Sequence, residues 1–436
     1  MALTDERVPF TSLDEAVHLL DTPAEPWSIQ LEVRVNGQLD EDRMRAAIPE
    51  ALSHHPMARA KLLPARRTDK RWTWAITGAL DLDPLKAVDC TDDADLDAVR
   101  AELHSLSVPL AESPPLRLRL ARHPRGDVLM INANHAAFDG WGTLLVLRSI
   151  AKAYIHEKEP DPEIPLPKAR DVEGLTRAEG VAERMRRLRA LADKARDLAT
   201  PPARLASQGG SDQPGYGIHQ ISVPVPEKPE HATVNDLLLA ALNLAIAGWN
   251  VEQGTACRRI SVLMPVNLRP PEWRNEVVTN FVSETRVATT PKDRKTPEAL
   301  LEAIAAQTRR IKEGESAALM ELLSKTGRLP LWLKQPLSPF IWMTGNRLVD
   351  TAVLSNLGEV DDEHLPDFGP EAGGVLGLWF SAPARMPCGL SLGAVSAVGM
   401  LHLAFRYRYP LWGPAAAMAF ADRFVTELGV LQREVA

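Results

Sequence analysis

Asn134-His135-Ala136-Ala137-Phe138-Asp139-Gly140-Trp141-Gly142 is the stretch on which the reading of this chain turns. Val128 to Asn134, just before it, is an apolar run ending in a polar residue, as expected of a strand. After Gly142, the residues Leu144, Leu145, Leu147 and Ile150 recur at helical spacing. A strand therefore passes through a tight Asp-Gly turn into a helix. A histidine at a strand terminus presents its ring to a cleft from a rigid backbone. Its unperturbed pKa near neutrality suits removal and return of a proton. Asp139 reads as an orienting group that pairs with an arginine rather than touching the ring. Gly140 permits the turn and leaves room beside it.

Outward from this stretch, the pattern is mixed. Leu116 to Leu120 alternates, and Gly126-Asp127 turns it back into the strand that ends at Asn134. Trp27 to Val35 alternates (Ile29, Leu31, Val33, Val35) as a half-buried strand would, Asn36-Gly37 closes it, and Glu41 to Leu52 has helical spacing. Arg177 to Asp197 is expected to be helical, with Val181, Met185, Leu188, Ala192 and Ala195 as its apolar stripe. Its arginine-rich face (Arg184, Arg186, Arg187, Arg189, Arg196) is diluted by acids and reads as solvated rather than as a phosphate patch. Pro201-Pro202 and Ser207 to Gly217 form a linker.

The second part repeats the first in kind. Strands are expected at His219 to Val223, Arg259 to Pro265 and Phe281 to Val287. Thr233 to Asp236 forms a capping box before an apolar helix, Leu237 to Trp249, and Pro297 opens a helix running to about Lys312. Gly389 to Ala397 and Met400 to Tyr407 flank Val398-Gly399 as a hairpin, and Pro414 to Leu431 closes the chain as an amphipathic helix.

Composition narrows the function. The 436 residues are 45% hydrophobic and 25% charged, which excludes a disordered or fibrous chain. The formal charge of −7 argues against a nucleic-acid binder that relies on an overall basic field. Cys90, Cys257 and Cys388 form no CxxC pair and suit a reducing, cytoplasmic compartment. Met1 to Phe10 lacks the apolar core of a secretory signal, and Asn243 interrupts an apolar run too short to span a bilayer. There is no HExxH, no GxxxxGK[ST] and no GxGxxG after a strand. Gly314 to Ala318 resembles a nucleophile elbow, but a helix precedes it and Ser316 reads as an N-cap. Asp367-Phe368-Gly369 lacks every companion motif of a kinase. His54-His55 has no carboxylate or cysteine at ligand spacing, and no metal site is expected.

Seven ordered segments together resemble the condensation-domain and CoA-dependent acyltransferase superfamily, which includes polyketide-associated and wax-ester-synthase-like acyltransferases. The family's HHxxxDG stands here as NHAAFDG, with Asn134 in place of the first histidine and His135 in place of the second. His54-His55-Pro56-Met57-Ala58-Arg59-Ala60 resembles its HPxxRA segment, and Pro115-Leu116-Arg117 its PPLR start. Thr233-Val234-Asn235-Asp236 resembles the opening of the first helix of its second domain. Pro265-Val266-Asn267-Leu268-Arg269, Asn280-Phe281 and Ser355-Asn356-Leu357-Gly358 resemble PVNLR, GNF and SNLG.

This resemblance implies an α+β fold of two similar mixed-sheet domains forming a V around a central channel. The expected division is 1–170, a helical and Gly/Pro-rich linker at 171–217, and 218–436. It implies a stand-alone O-acyltransferase that moves an acyl group from a CoA or acyl-carrier-protein thioester to an alcohol of a small metabolite. His135 is then the general base and Arg269 the partner of Asp139. Gly140 completes the structural set, and Asn134, Asn280, Ser355 and Asn356 are candidate substrate contacts. No bound cofactor is expected. An amide-forming enzyme and a catalytically silent binding protein of the same fold are the rival readings.

Overall fold

The computed structural model describes residues 6–176, 180–181, 183–188, 200–315, 329–335 and 349–435. The first half contains β1 (Glu6–Pro9), α1 (Ser12–Leu20), β2 (Ser28–Val35), α2 (Glu41–Ser53), β3 (Ala60–Leu62), β4 (Thr73–Ile76) and β5 (Leu85–Asp89). It continues through α3 (Asp93–Ser105), β6 (Leu116–Arg122), β7 (Val128–Asn134) and α4 (Gly140–Tyr154). The second half contains β8 (Tyr216–Pro224), α5 (Val234–Glu252), β9 (Ile260–Asn267), β10 (Val282–Thr289), α6 (Pro297–Arg310) and β11 (Ala352–Glu359). It ends with β12 (Val375–Ser381), β13 (Leu390–Ala397), β14 (Met400–Arg408) and α7 (Pro414–Val435).

Two mixed sheets carry two lobes. The first runs β12-β2-β7-β6-β5 and the second β10-β9-β11-β13-β14-β8, with a small β1-β4-β3 sheet beside the first. Strand β2 is antiparallel to β7 with Ser28 opposite Asn134, so the strand leading to His135 lies central in its sheet. The first core gathers Ile29, Leu31, Val33 and Val35 with Leu144, Leu145, Leu147 and Ile150 of α4. The second centres on α5 and the apolar face of α7. Each sheet buries one face against helices because its strands alternate, and each helix supplies the matching stripe.

Several boundaries shift for identifiable reasons. Helix α4 begins at Gly140, because the Asp139 side chain accepts the Gly142 amide and caps it there. Thr233 and Asp236 form the reciprocal box expected before α5. Helix α5 is long and apolar enough to cross a membrane, and most of its side chains lie in the second core. Strand β2 was expected to wet one face, yet Gln30 and Glu32 are buried. Glu32 is paired with Arg100 on α3 and accepts from Gln220 on β8, so a second layer covers that face. Of the expected helix at 177–197, residues 183–188 are helical, and Val181, Met185 and Leu188 are exposed rather than buried as its stripe. Ala192, Ala195, Arg189 and Arg196 lie outside the described residues, as does Ser316.

One strand crosses between the halves. Strand β12 comes late in the chain, yet it pairs antiparallel with β2 at the edge of the first sheet. A division drawn at 218 therefore does not separate the two sheets. Gly393 on β13 sits where an added Cβ would lie 1.9 Å from the Phe380 carbonyl oxygen, so the crossing strand packs directly on the second sheet.

Candidate active site

His135 follows the last residue of β7 and is gripped by its backbone. Its amide donates to the Trp27 carbonyl at 3.0 Å, and its carbonyl accepts from Asn280 Nδ2 at 3.1 Å. The ring is oriented as well. Nδ1 lies 2.8 Å from the Phe138 carbonyl oxygen, an acceptor only, so Nδ1 carries the proton. That leaves the Nε2 lone pair available, and among the described residues nothing bonds to it. Burial pulls the imidazole below its ordinary 6.5, opposed by the Phe138 carbonyl and the charge of Asp139.

Asp139 does not touch the ring, as expected. Its carboxylate is fully buried and holds two lobes together. Oδ1 accepts from the Gly142 amide at 2.6 Å, and Oδ2 from the Phe281 amide at 2.9 Å. Arg269 Nη2 donates to both oxygens at 3.2 Å. Arg269 also donates to the Thr279 carbonyl and lies over the Phe281 ring. The motif turn and the second lobe are thus joined by a buried ion pair in which both carboxylate oxygens are hydrogen-bonded. Gly140 serves this junction: a Cβ there would lie 2.8 Å from the Phe380 ring and 3.2 Å from Leu357.

His135 stands in the wall of a cavity of about 340 Å³ shared by the two lobes. Leu13, Ala16, Val17 and Leu20, one face of α1, form an apolar side. Val282, Glu284 and Arg286 alternate along β10, and with Asn280 just before that strand they form the opposite side. Asn280 lies beside His135, and its Oδ1 accepts from the Val282 amide.

The other expected contacts are placed elsewhere. Asn134 is buried, and its amide is committed to structure. Nδ2 donates to Asp21 and to the Val108 carbonyl, while Oδ1 accepts from the Ala136 amide. Ser355 is buried on β11, Asn356 Oδ1 accepts from the Gly358 amide, and neither lines this cavity. His55 packs with Nε2 2.7 Å from Ser149 Oγ. Glu284, Arg286 and Asp350 were not singled out from sequence. The alternation of polar residues after Asn280 was the available signal for the first two.

A family model described as "Condensation domain" matches residues 16–172. A protein of Mycobacterium tuberculosis, described as uncharacterized, is 35% identical over 407 residues, covering 91% of this chain and 93% of its own length. The chain belongs to the condensation-domain and CoA-dependent acyltransferase superfamily. A probable non-canonical nonribosomal peptide synthetase of Salinispora arenicola is 29% identical over 137 residues, 31% of this chain and 2% of the synthetase. Among solved structures, the epimerization domain from the third module of tyrocidine synthetase B is similar with TM-score 0.66 and 16% identity, covering 100% of this chain and 98% of that one. The starter condensation domain of rhizomide synthetase, solved as a mutant in complex with C8-CoA, gives TM-score 0.68 at 15% identity, covering 98% and 95%. These last two likenesses establish the shared fold of two lobes. The family is one of acyl-transferring enzymes.

Proposed function

We propose that this protein transfers an acyl group from a thioester, on CoA or a carrier protein, to the hydroxyl of a small acceptor, with His135 Nε2 as general base. The observation that carries this reading is the His135 ring at the wall of an interlobe cavity, with Nδ1 tied to the Phe138 carbonyl and Nε2 unbonded among the described residues. Nε2 takes the acceptor proton as the oxygen attacks the thioester carbonyl. The tetrahedral intermediate collapses, the carbon–sulfur bond breaks, and the imidazolium returns the proton to the thiolate. Atoms and charge balance with no covalent acyl-enzyme. Asn280 is the amide placed to contact substrate beside the ring, and Asp139, Gly140 and Arg269 hold the geometry.

The C8-CoA held by the similar starter domain supports an acyl-CoA donor. The matched peptide synthetases favour a second reading, in which an amine accepts the acyl group. The base does the same work for either nucleophile. Competition between alcohol and amine acceptors for one acyl-CoA separates them.

The test of the base is His135→Ala with thiol release followed colorimetrically. Loss of a general base is expected to lower turnover by about 10²–10⁴-fold. Wild-type turnover in a folded variant rejects the assignment.

A further inference from the structure

The cavity has a second polar end that the chemistry above does not use. On β10 the residues facing it are Val282, Glu284 and Arg286, with Asn280 two positions earlier. At about 3.3 Å per residue, Glu284 lies about 13 Å along the chain from Asn280, which touches His135. Between the two ends the walls are hydrocarbon: the α1 face with Leu263 and Val353.

The charged groups at this far end pair off and leave Glu284 over. Arg286 Nε bonds Asp350 Oδ2 at 2.9 Å, and Asp350 Oδ1 accepts from Ser261 Oγ. Arg385 Nε sits 3.4 Å from Glu25, which also faces Arg408. No hydrogen bond or ion pair within the described residues reaches the Glu284 carboxyl. Burial and the neighbouring Asp350 raise its pKa, and Arg286 opposes the shift. A carboxyl half-buried in this wall, with the Arg286 charge nearby but no hydrogen bond from a described residue, is costly unless something neutralises it. Glu284 is therefore positioned to meet a cation.

We propose that the cavity binds a medium-length alkyl chain with its reacting group at His135 and an ammonium group on Glu284. The substrate class is thus a chain with two functions, a hydroxyl or thioester carbonyl at one end and an amine at the other. This inference rests on the proposed reaction only in naming the group at His135, while recognition by Glu284 is testable by binding alone.

Calorimetry with decylammonium, decanol and decanoate provides the test. Decylammonium is expected to bind the wild type about tenfold more tightly than decanol, the scale of one charge-assisted hydrogen bond. Glu284→Gln should erase that preference while decanol affinity is retained, which also reports an intact cavity. His135→Ala should keep it. Equal affinities in the wild type, or a preference unchanged in Glu284→Gln, overturn the proposal. A preference for decanoate does so too, and places the anchor on Arg385, whose Nη1 is buried with no hydrogen bond among the described residues. Preference for decylammonium together with wild-type thiol release by His135→Ala leaves the recognition standing and removes the base.

Discussion

Two buried arginines tie the lobes together, and they do so by different means. Arg269 meets a carboxylate, Asp139, which also accepts the Gly142 and Phe281 amides. Arg406 on β14 is fully buried and, among the described residues, meets none. It donates to the Ser28 and His104 carbonyls at 2.9 and 2.8 Å and lies 4.0 Å over the Tyr216 ring. Burial pulls its pKa down to about 10. Among the described residues neither Nε has a hydrogen bond, so the difference lies in the counter-charge. The junction at the motif is a charge pair whose halves need each other. The junction behind it is a cation held by dipoles and a ring.

The contrast gives an asymmetry to measure. Asp139→Ala strands the Arg269 charge and is expected to cost about 3–5 kcal/mol by denaturant unfolding. Removing both partners together, Asp139→Asn with Arg269→Met, should recover part of that loss, and a purely additive double variant would dissolve the distinction. Arg406→Met strands no opposite charge. It should cost about 1–3 kcal/mol, the net worth of two hydrogen bonds. A loss as large as that of Asp139→Ala would show that dipoles hold a buried cation as firmly as a carboxylate does.

The smallest effect concerns pH. His135 is held below 6.5 in the fold, so the unfolded chain binds its proton first as the solution is acidified. Stability supplied by the neutral ring is complete above 6.5 and falls as pH drops from there toward the folded value. The same shift keeps Nε2 unprotonated in mildly acidic solution. The acid limb of kcat/KM is therefore expected below pH 6.5, and a midpoint above it would contradict the environment described. His55, pushed down to about 3 by burial, adds an acid sensitivity of up to about 1.4 kcal/mol per pH unit in that range. Arg406→Met should leave the kcat/KM limb in place, whereas a variant that loosens the Asp139 turn should move it.

Much of this was readable in the residues. Strand β6 follows period-two alternation, β7 is an apolar run entered through a visible turn, and β13 and β14 flank Val398 and Gly399, which take the positive φ that their hairpin requires. The Asp139–Arg269 partnership was expected from family resemblance and lies where expected. What stayed hidden depends on partners remote in sequence. Val375–Ser381 is uninterrupted enough to be a strand, but nothing local announces a mate more than three hundred residues upstream. Helix α1 opens on a capping box of Thr11 and Asp14, but its nine residues are too short to establish a periodic stripe. Asn134 was aligned with a substrate-facing position, while its buried amide answers to Asp21 and Val108, loop residues without a periodic signature.

The late arrival of β12 carries a consequence for biosynthesis. As the polypeptide leaves the ribosome, β2 emerges with its outer edge bare, and the strand that covers it follows more than three hundred residues later. An uncovered strand edge invites pairing with the wrong chain. The amino-terminal half, expressed by itself, would carry that open edge permanently.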